Sequence, residues 1–565
     1  MKVLFHQLRR INNRGNPRLF LGDYMKTLIT TLNSKFIHTS LSLRLLYVAS
    51  YHEHDVDFKE YTIKDSLEHI VEDILRMQCQ IVAFSSYIWN IEYIQKICAM
   101  LKRRQPNIII ILGGPEVTYE ADYFLKNYQI DYVICGEGEV AFPALLKAIE
   151  NHEKIDITGV QYLGHISEDV ACVPLSYVES LDSPYILPQD QDNMSKRILY
   201  FESSRGCPFQ CQYCLSSLEK GLRFFSESYL KKQLKLICQS GVKTVKFLDR
   251  SFNADAHHAI MILDYIFKHY QSGQQFQFEI NADVLNQKII DFISENAPKG
   301  LLRFEIGIQS TYEPTNQAVK RMQNFERLSE VVQQLMSDGK CDLHLDLIAG
   351  LPYESYERFA KSFDDVFAFR AKELQLGFLK LLRGTSLRND ANEYGYIYQK
   401  ESPYEMIENK WLSQTDVHNI HIAEDMLEKY WNSGRFVRTM NAVMDEQKSA
   451  FYFFYHLGCF YEKQGYKKMG YQLDELFSYL DRYLQREDYH ELLIQDYLSQ
   501  FKVKPKKWYL PTLTPQERKE VIKDLVERYQ LDRELLFRYA IVEKITQGYL
   551  VVIYKDYQCK MDIYK

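Results

Sequence analysis

The stretch Glu202-Ser203-Ser204-Arg205-Gly206-Cys207-Pro208-Phe209-Gln210-Cys211-Gln212-Tyr213-Cys214 decides how this chain is read. It places three thiols at the spacing C-x3-C-x2-C in a turn-rich loop, just after the apolar run 198–201. No fourth ligand follows nearby. A structural zinc site takes four ligands, usually as two pairs. An iron–sulfur cube held wholly by protein takes four cysteines. Three cysteines suit a cube with one iron left open to a substrate or cofactor.

Outward from that loop, composition sets limits. The 565 residues suggest three or four domains with ample core. Apolar residues at 46% and charged residues at 25% mark a soluble, globular chain. The 42 Tyr and 32 Phe can line cavities, but large cores use aromatics as well. A formal charge of −6 with no long basic block does not favour nucleic acid as a partner. No apolar run reaches membrane-spanning length. The first 24 residues have no apolar signal core, and the 11 scattered cysteines fit a reducing cytoplasm rather than a disulfide scaffold. Residues 1–24 are expected to be a loosely ordered leader.

Upstream, short apolar runs alternate with helical patterns. Strands are expected at 27–31, 56–61, 81–85, 108–112 and 132–135. Helices are expected at 41–50, 67–77, 91–103, 121–127 and 141–151. This alternation predicts a Rossmann-like, doubly wound α/β domain over residues 25–165. Ligands on such sheets sit at strand carboxyl ends. Three of those ends are unusual: Ser85-Ser86-Tyr87, Gly113-Gly114-Pro115-Glu116 and Gly136-Glu137-Gly138-Glu139. Glycines there let backbone come close to a ligand. Residues 166–195, with Pro174, Pro184 and Pro188, read as a linker.

Downstream, over 196–385, six βα-type strands are expected, at 198–201, 242–248, 276–280, 302–308, 343–348 and 374–379. Their ends carry Asp249, Glu279, Gln309 and Asp346, and Arg321 falls twelve residues after Gln309. A zwitterionic nucleoside needs a cation for its carboxylate and acceptors for its ammonium and ribose hydroxyls. These residues supply those types, and an Arg fork matches a carboxylate. Cys238 and Cys341 read as packing cysteines. Residues 386–565 read as a mostly helical domain, with helices at 401–412, 420–440, 444–464 and 473–485. A proline-punctuated linker is expected at 505–515 and a strand at 549–554. The aromatic cluster at 451–456 reads as core.

The cysteine triplet, with Tyr213 before its last Cys, resembles the signature of the radical S-adenosylmethionine (SAM) superfamily. The resemblance implies a six-stranded partial barrel and a [4Fe-4S] cluster on Cys207, Cys211 and Cys214, with SAM on the open iron. It implies SAM contacts from Tyr213, Asp249, Glu279, Gln309, Arg321 and Asp346. The upstream domain is similar to the cobalamin-binding domain of the family that contains the anaerobic magnesium-protoporphyrin ester cyclase. That implies cobalamin contacts from Ser85, Ser86, Gly113, Gly114, Pro115, Glu116, Gly136 and Glu137. The cobalt-ligating pattern D-x-H-x-x-G is absent: His38 lacks the Asp and the Gly. The family resemblance implies methyl transfer or another radical reaction at an unactivated carbon of an unidentified small molecule, fed by an electron donor such as flavodoxin or ferredoxin. Two other readings stand beside it. One is a radical SAM enzyme whose first domain has lost cobalamin. The other is a methylthiotransferase, which needs a second cluster, for which Cys79, Cys98 and Cys135 exist.

Overall fold

The computed structural model describes residues 25–219 and 221–565, so the expected leader lies outside the described residues. The chain forms two units. One comprises the chain up to Gly307 with Asn316–Asp342 and Leu379–Ile407; the other comprises Ile308–Thr315, Leu343–Phe378 and Glu408–Lys565.

The first unit opens with a six-stranded sheet. Its strands are β1 (Thr27–Asn33), β2 (Val56–Thr62), β3 (Ile81–Ser85), β4 (Ile109–Gly113), β5 (Tyr132–Ile134) and the short β6 (Val160–Gln161), in the order β2-β1-β3-β4-β5-β6. All but β6 run parallel. Successive side chains of β1 point to opposite faces. Leu28 and Leu32 enter the core with Ile70, Phe84 and Ile97, while Ile29 enters the core with Leu43, Val56 and Phe142. Both faces are therefore covered, as a parallel sheet requires. Helices Leu41–Ser50 and Leu67–Arg76 start where the Ser40 and Ser66 side chains accept backbone N–H bonds. Chain direction across the sheet reverses between β1 and β3, which opens a crevice at their carboxyl ends.

The expected linker is partly structured, with a helix at Leu175–Ser180 and a 3-10 segment at Pro188–Lys196. Then come β7 (Ile198–Phe201) and a two-stranded hairpin of β8 (Ser204–Arg205) and β9 (Arg223–Phe224) that brackets the cysteine loop. The strands β10 (Thr244–Phe247), β11 (Gln275–Ile280), β12 (Leu302–Gln309), β13 (Cys341–Ala349) and β14 (Glu373–Phe378) follow. The resulting open sheet has the order β14-β13-β12-β11-β10-β7. This is the expected partial barrel. Within the first unit, Phe201, Phe247, Phe276, Phe278 and Phe304 of this sheet are buried. The alternate residues Tyr200, Lys246, Gln277, Glu279 and Arg303 are only part-buried. Full barrels pack that interior with branched aliphatics; here it is polar.

In the second unit, helix Tyr356–Phe367 packs on helix Ala450–Gln464 through Phe363, Phe451 and Phe454. The aromatic cluster is therefore core. The π-helical segment Glu428–Asn432 covers the edge of β14: Leu374 N donates to Asn432 Oδ1 at 3.0 Å and Asn432 Nδ2 donates to Leu374 O at 2.8 Å. An uncovered edge strand is an aggregation hazard.

Four expectations for this third of the chain need correction, the simplest being the helix expected at 444–464, which breaks between Glu446 and Ala450, where Ser449 caps a new helix. The helix expected at 401–412 is replaced by a turn and a short strand, Met406–Glu408, because Pro403 has no N–H to give a helix and Tyr404 takes a left-handed φ of 59°. The helix expected at 420–440 is instead Gln414–Leu427, continued by a π-helical turn over Glu428–Asn432; it breaks at Gly434, φ 63°, and a separate helix runs over Val437–Glu446. The expected linker hides the start of helix Pro515–Tyr529, whose Thr514 and Glu517 form a capping box with Pro at its first position. The chain closes with three antiparallel strands, Ala540–Ile545, Gly548–Lys555 and Gln558–Tyr564, over their own small core. No helix among the described residues is long and apolar enough to cross a membrane. Asn432→Ala removes two hydrogen bonds from the β14 edge, each worth about 0.5–1.5 kcal/mol net. Urea unfolding should show a loss of about 1–3 kcal/mol.

Candidate functional site

The cysteine loop is shaped by its neighbours before any ligand is considered. Gly206 adopts φ 91°, and a Cβ there would lie 2.0 Å from the Gly221 carbonyl oxygen across the hairpin. Only glycine fits that position. Asp249, at the end of β10, is 1% exposed and accepts from Ser203 N (3.0 Å), Ser203 Oγ (2.6 Å) and Ser204 Oγ (2.5 Å). Burial raises its pKa, and those three bonds oppose the rise. Further along, Gln212 N donates to Val319 O at 2.9 Å and Leu387 N donates to Gln212 O at 3.1 Å. Cys214 N closes a turn onto Cys211 O at 3.1 Å. The loop is thus tied at its stem and at its middle.

Cys211 is buried, and Cys207 and Cys214 are part-buried. Burial pushes the Cys207 thiol up, and Cys214 and Cys211 add to that rise. Among the described residues, no three His, Cys, Asp or Glu side chains already stand in metal-ligand geometry. The donor set still fits an iron–sulfur cube with one open iron: three thiols on a single loop, each of which would release its proton on binding iron.

Beside the thiols lies Arg321. Its Nη1 is 3.9 Å from Cys211 Sγ and 3.3 Å from Tyr213 Oη, its Nη2 donates to Gly307 O, and Nε donates to Gln323 Oε1 at 3.0 Å. Burial opposes its charge, but Tyr213 and Cys211 outweigh burial and raise its pKa. A buried, permanently charged guanidinium next to the cysteines is what an anionic ligand group needs. Glu279, on the inner face of β11, lies 3.9 Å from Lys246 Nζ, which also pairs with Glu305 at 2.7 Å. Asn281 Oδ1, 3.5 Å from Arg321 Nη2, also belongs to this group.

Gln309 and Asp346 belong to the second unit. Gln309 ends β12 at φ 68°, a region that non-glycine residues seldom occupy, and its buried Oε1 makes no hydrogen bond within the protein. Asp346 lies on β13, 3.0 Å from His344 Nε2. The structure thus groups Cys211, Tyr213 and Arg321. It gives Asp249 a different task from the expected SAM contact: both of its oxygens hold the stem of the cysteine loop.

The strand ends of the first sheet also differ in part from expectation. Gly114 takes φ 105°, and a Cβ there would lie 2.5 Å from Ser86 O; at Gly136 (φ 89°) it would lie 2.3 Å from Ala171 O. These glycines admit the chain's own backbone. Gly113 carries no such restriction. Pro115 begins the four-residue helix Pro115–Thr118. Glu116 is 4% exposed and holds Arg383 Nε at 3.1 Å and the Tyr404 hydroxyl. Glu137 pairs with Arg223 and accepts from Val173 N at 2.5 Å. Both acids, expected to meet cobalamin, instead clamp neighbouring chain. Ser85 Oγ pairs with Ser42 Oγ at 2.9 Å.

What remains at this edge fits a large, flat, mostly apolar ring system. Trp89 stacks on Tyr87 at 4.4 Å and is 44% exposed, Phe36 and Ile37 are exposed, and the buried Ser86 Oγ makes no hydrogen bond within the protein. His38 points elsewhere: its Nδ1 bonds Tyr200 Oη on β7 at 2.7 Å, and Ile198 N donates to Ile37 O at 2.7 Å. Burial, then Lys35, lowers the His38 pKa. The loop after β1 therefore meets the free edge of β7 in a single β-bridge between His38 and Ile198. Cys79, Cys98 and Cys135 are sealed in the core of the first sheet at 3%, 0% and 0% exposure, and burial raises their pKa values. None of the three is placed as an accessible cluster ligand.

Comparison with known proteins agrees with this geometry. Residues 27–146 match the B12 binding domain and residues 201–366 the radical SAM superfamily; residues 392–553 match a family described as a protein of unknown function, DUF4080. The cobalamin-dependent radical SAM methyltransferase TokK of Streptomyces tokunonensis is 27% identical over 345 residues, 56% of this chain and 47% of that protein. The anaerobic magnesium-protoporphyrin IX monomethyl ester cyclase of Synechocystis sp. is 30% identical over 127 residues, 21% of this chain and 25% of that protein. The chain thus spans less than half the length of either relative. In fold, it resembles the cobalamin-dependent SAM radical enzyme OxsB, with TM-score 0.58 and 14% identity over 90% of this chain and 76% of that one. With the three thiols, the adjoining arginine and the two matched domains in this order, the chain belongs to the radical SAM superfamily and carries a B12-binding domain ahead of its radical SAM domain.

Proposed function

We propose that this protein is a cobalamin-using radical SAM enzyme of methyltransferase type, acting on an unactivated carbon of a small molecule. The observation that carries the reading is the buried Arg321 guanidinium set between Cys211, Tyr213 and the Gly307 carbonyl. A cluster on Cys207, Cys211 and Cys214 supplies one electron for reductive cleavage of SAM, and cobalamin supplies a methyl carrier. The chain's own residues do the positioning. Arg321 receives the methionine carboxylate, and Glu279 offers an acceptor to the ammonium. Gln309, held in a strained backbone conformation, and Asp346 offer acceptors and donors to the ribose. Residues 36–38 and 87–89 give cobalamin an apolar seat, with no nitrogen supplied to cobalt by His38. An electron donor such as flavodoxin or ferredoxin completes the system.

After anaerobic reconstitution, the protein should cleave SAM to 5′-deoxyadenosine, and with cobalamin and substrate should form S-adenosylhomocysteine. Cys207→Ala, Cys211→Ala and Cys214→Ala should each lose cluster iron and turnover; retention of both in any one of them rejects the assignment. Arg321→Met should weaken SAM binding about ten-fold or more, the loss expected for one charge-assisted hydrogen bond. Titration with SAM of the cluster-loaded variant checks this.

His38→Ala should leave the absorption and EPR spectra of bound cobalamin unchanged. A change in the axial nitrogen signature would show that His38 does reach cobalt.

A further inference from the structure

Arg205 stands two residues before Cys207, and its side chain is 9% exposed. Its Nη2 donates to Glu202 Oε1 at 2.6 Å and to Glu139 Oε1 at 2.6 Å, and its Nε to both Glu202 oxygens at 3.2 Å. Its Nη1 lies 3.4 Å from Glu137 Oε2. Glu202 belongs to the stem of the cysteine loop. Glu137 caps, and Glu139 lies in the first turn of, the helix Gly138–Glu150 that follows β5 in the B12-binding domain. Directly opposite Arg205 in the hairpin is Arg223, which pairs with Glu137 and donates through Nη1 to Val173 O at 2.7 Å. Two arginines of the hairpin that brackets the cysteines are therefore fastened to the strand-end loop of the other domain.

The arrangement is not the least costly way to join two surfaces. Buried ion pairs stabilise little against well-packed apolar contacts, because each charge gives up its hydration. Here one guanidinium faces three carboxylates. Arg205 Nη1 and Glu139 Oε2 are both buried and make no hydrogen bond within the protein. Unsatisfied groups of this kind in a buried network call for a reason beyond cohesion.

We infer that Arg205 is a positioning residue that couples the two cofactor loops. Through it, the seating of the β5 loop in the B12-binding domain sets the geometry and electrostatic field of the cysteine loop. The inference rests on the proposed function only in taking Cys207, Cys211 and Cys214 as cluster ligands. Reducing the cluster adds a negative charge beside this carboxylate-rich network. Glu139, 66 residues away in sequence and in another domain, therefore opposes reduction. By reciprocity, whatever shifts Glu139 when the B12-binding end is occupied is felt at the cluster, and the reverse.

The test uses the full chain, reconstituted with iron and sulfide and without cobalamin. Glu139→Gln keeps the shape of the side chain and removes its charge. It should retain wild-type iron content and helicity. Its ratio of reduced to oxidised cluster at one fixed potential should rise by about five-fold or more, the scale of a typical coupling between sites. The EPR spectrum of the reduced cluster should shift. Arg205→Lys, a single point charge in place of a fork, should also shift that spectrum. Should Glu139→Gln fail to fold, Glu137→Gln gives the same measurement from the neighbouring acid. An unchanged ratio and spectrum in a folded, iron-loaded acid variant overturns the inference and leaves Arg205 as a tether. Loss of SAM cleavage with the cluster signal intact would count against the proposed function instead. Failure of the wild type to assemble a cluster would overturn both.

Discussion

A carboxylate shut away from water holds the cysteine loop to the barrel. Asp249 ends β10, and its two oxygens accept three bonds from Ser203 and Ser204 at the end of β7. An ionised carboxylate in that position is costly unless every bond is made. The price of its burial is met only when the stem takes one path. From there Gly206 turns the chain under Gly221, and the thiols, Tyr213 and Arg321 take their places. Removing the bonds to Asp249 would free the stem, and the cysteines would lose their common frame.

The sheet that carries this stem has two chemically distinct faces. Phenylalanines from four neighbouring strands fill the outer face, and Tyr200, Lys246, Gln277, Glu279 and Arg303 line the inner one. Because strand side chains alternate, one set of residues makes the core while the other stays available for ligands. The Lys246–Glu305 pair at 2.7 Å keeps that interior from collapsing into a packed core. The B12-binding sheet meets the same body at several points. The loop after β1 pairs with β7, Glu116 holds Arg383, and the β5 loop holds Arg205 and Arg223. The second and third junctions each use a residue from one of the conspicuous strand-end motifs. Part of what makes those motifs conspicuous is therefore the joining of chain to chain.

Much of this was legible in the sequence because the signals are local. Apolar runs bounded by turn residues placed the strands of both sheets to within a few residues, apart from the short antiparallel β6. The cysteine spacing is local, and the resemblance it carries implies a role for Arg321. The mismatches are local in origin too: Pro403 breaks a stretch of helical spacing, and Thr514 and Glu517 around Pro515 spell a helix start inside a proline-punctuated segment.

The sequence by itself determined the alternation of strands and helices through the two main sheets, the three thiols without a fourth, and the polar residue types at the strand ends, since periodicity and ligand chemistry depend on near neighbours. Only the tertiary structure decided which polar groups remain available for ligands. Asp249, Glu116 and Glu137 carry the right charge at the right strand ends, yet each is consumed by a partner 46, 267 and 86 residues away. A buried charge must find its counterpart wherever the fold brings one, and sequence spacing holds no record of that meeting.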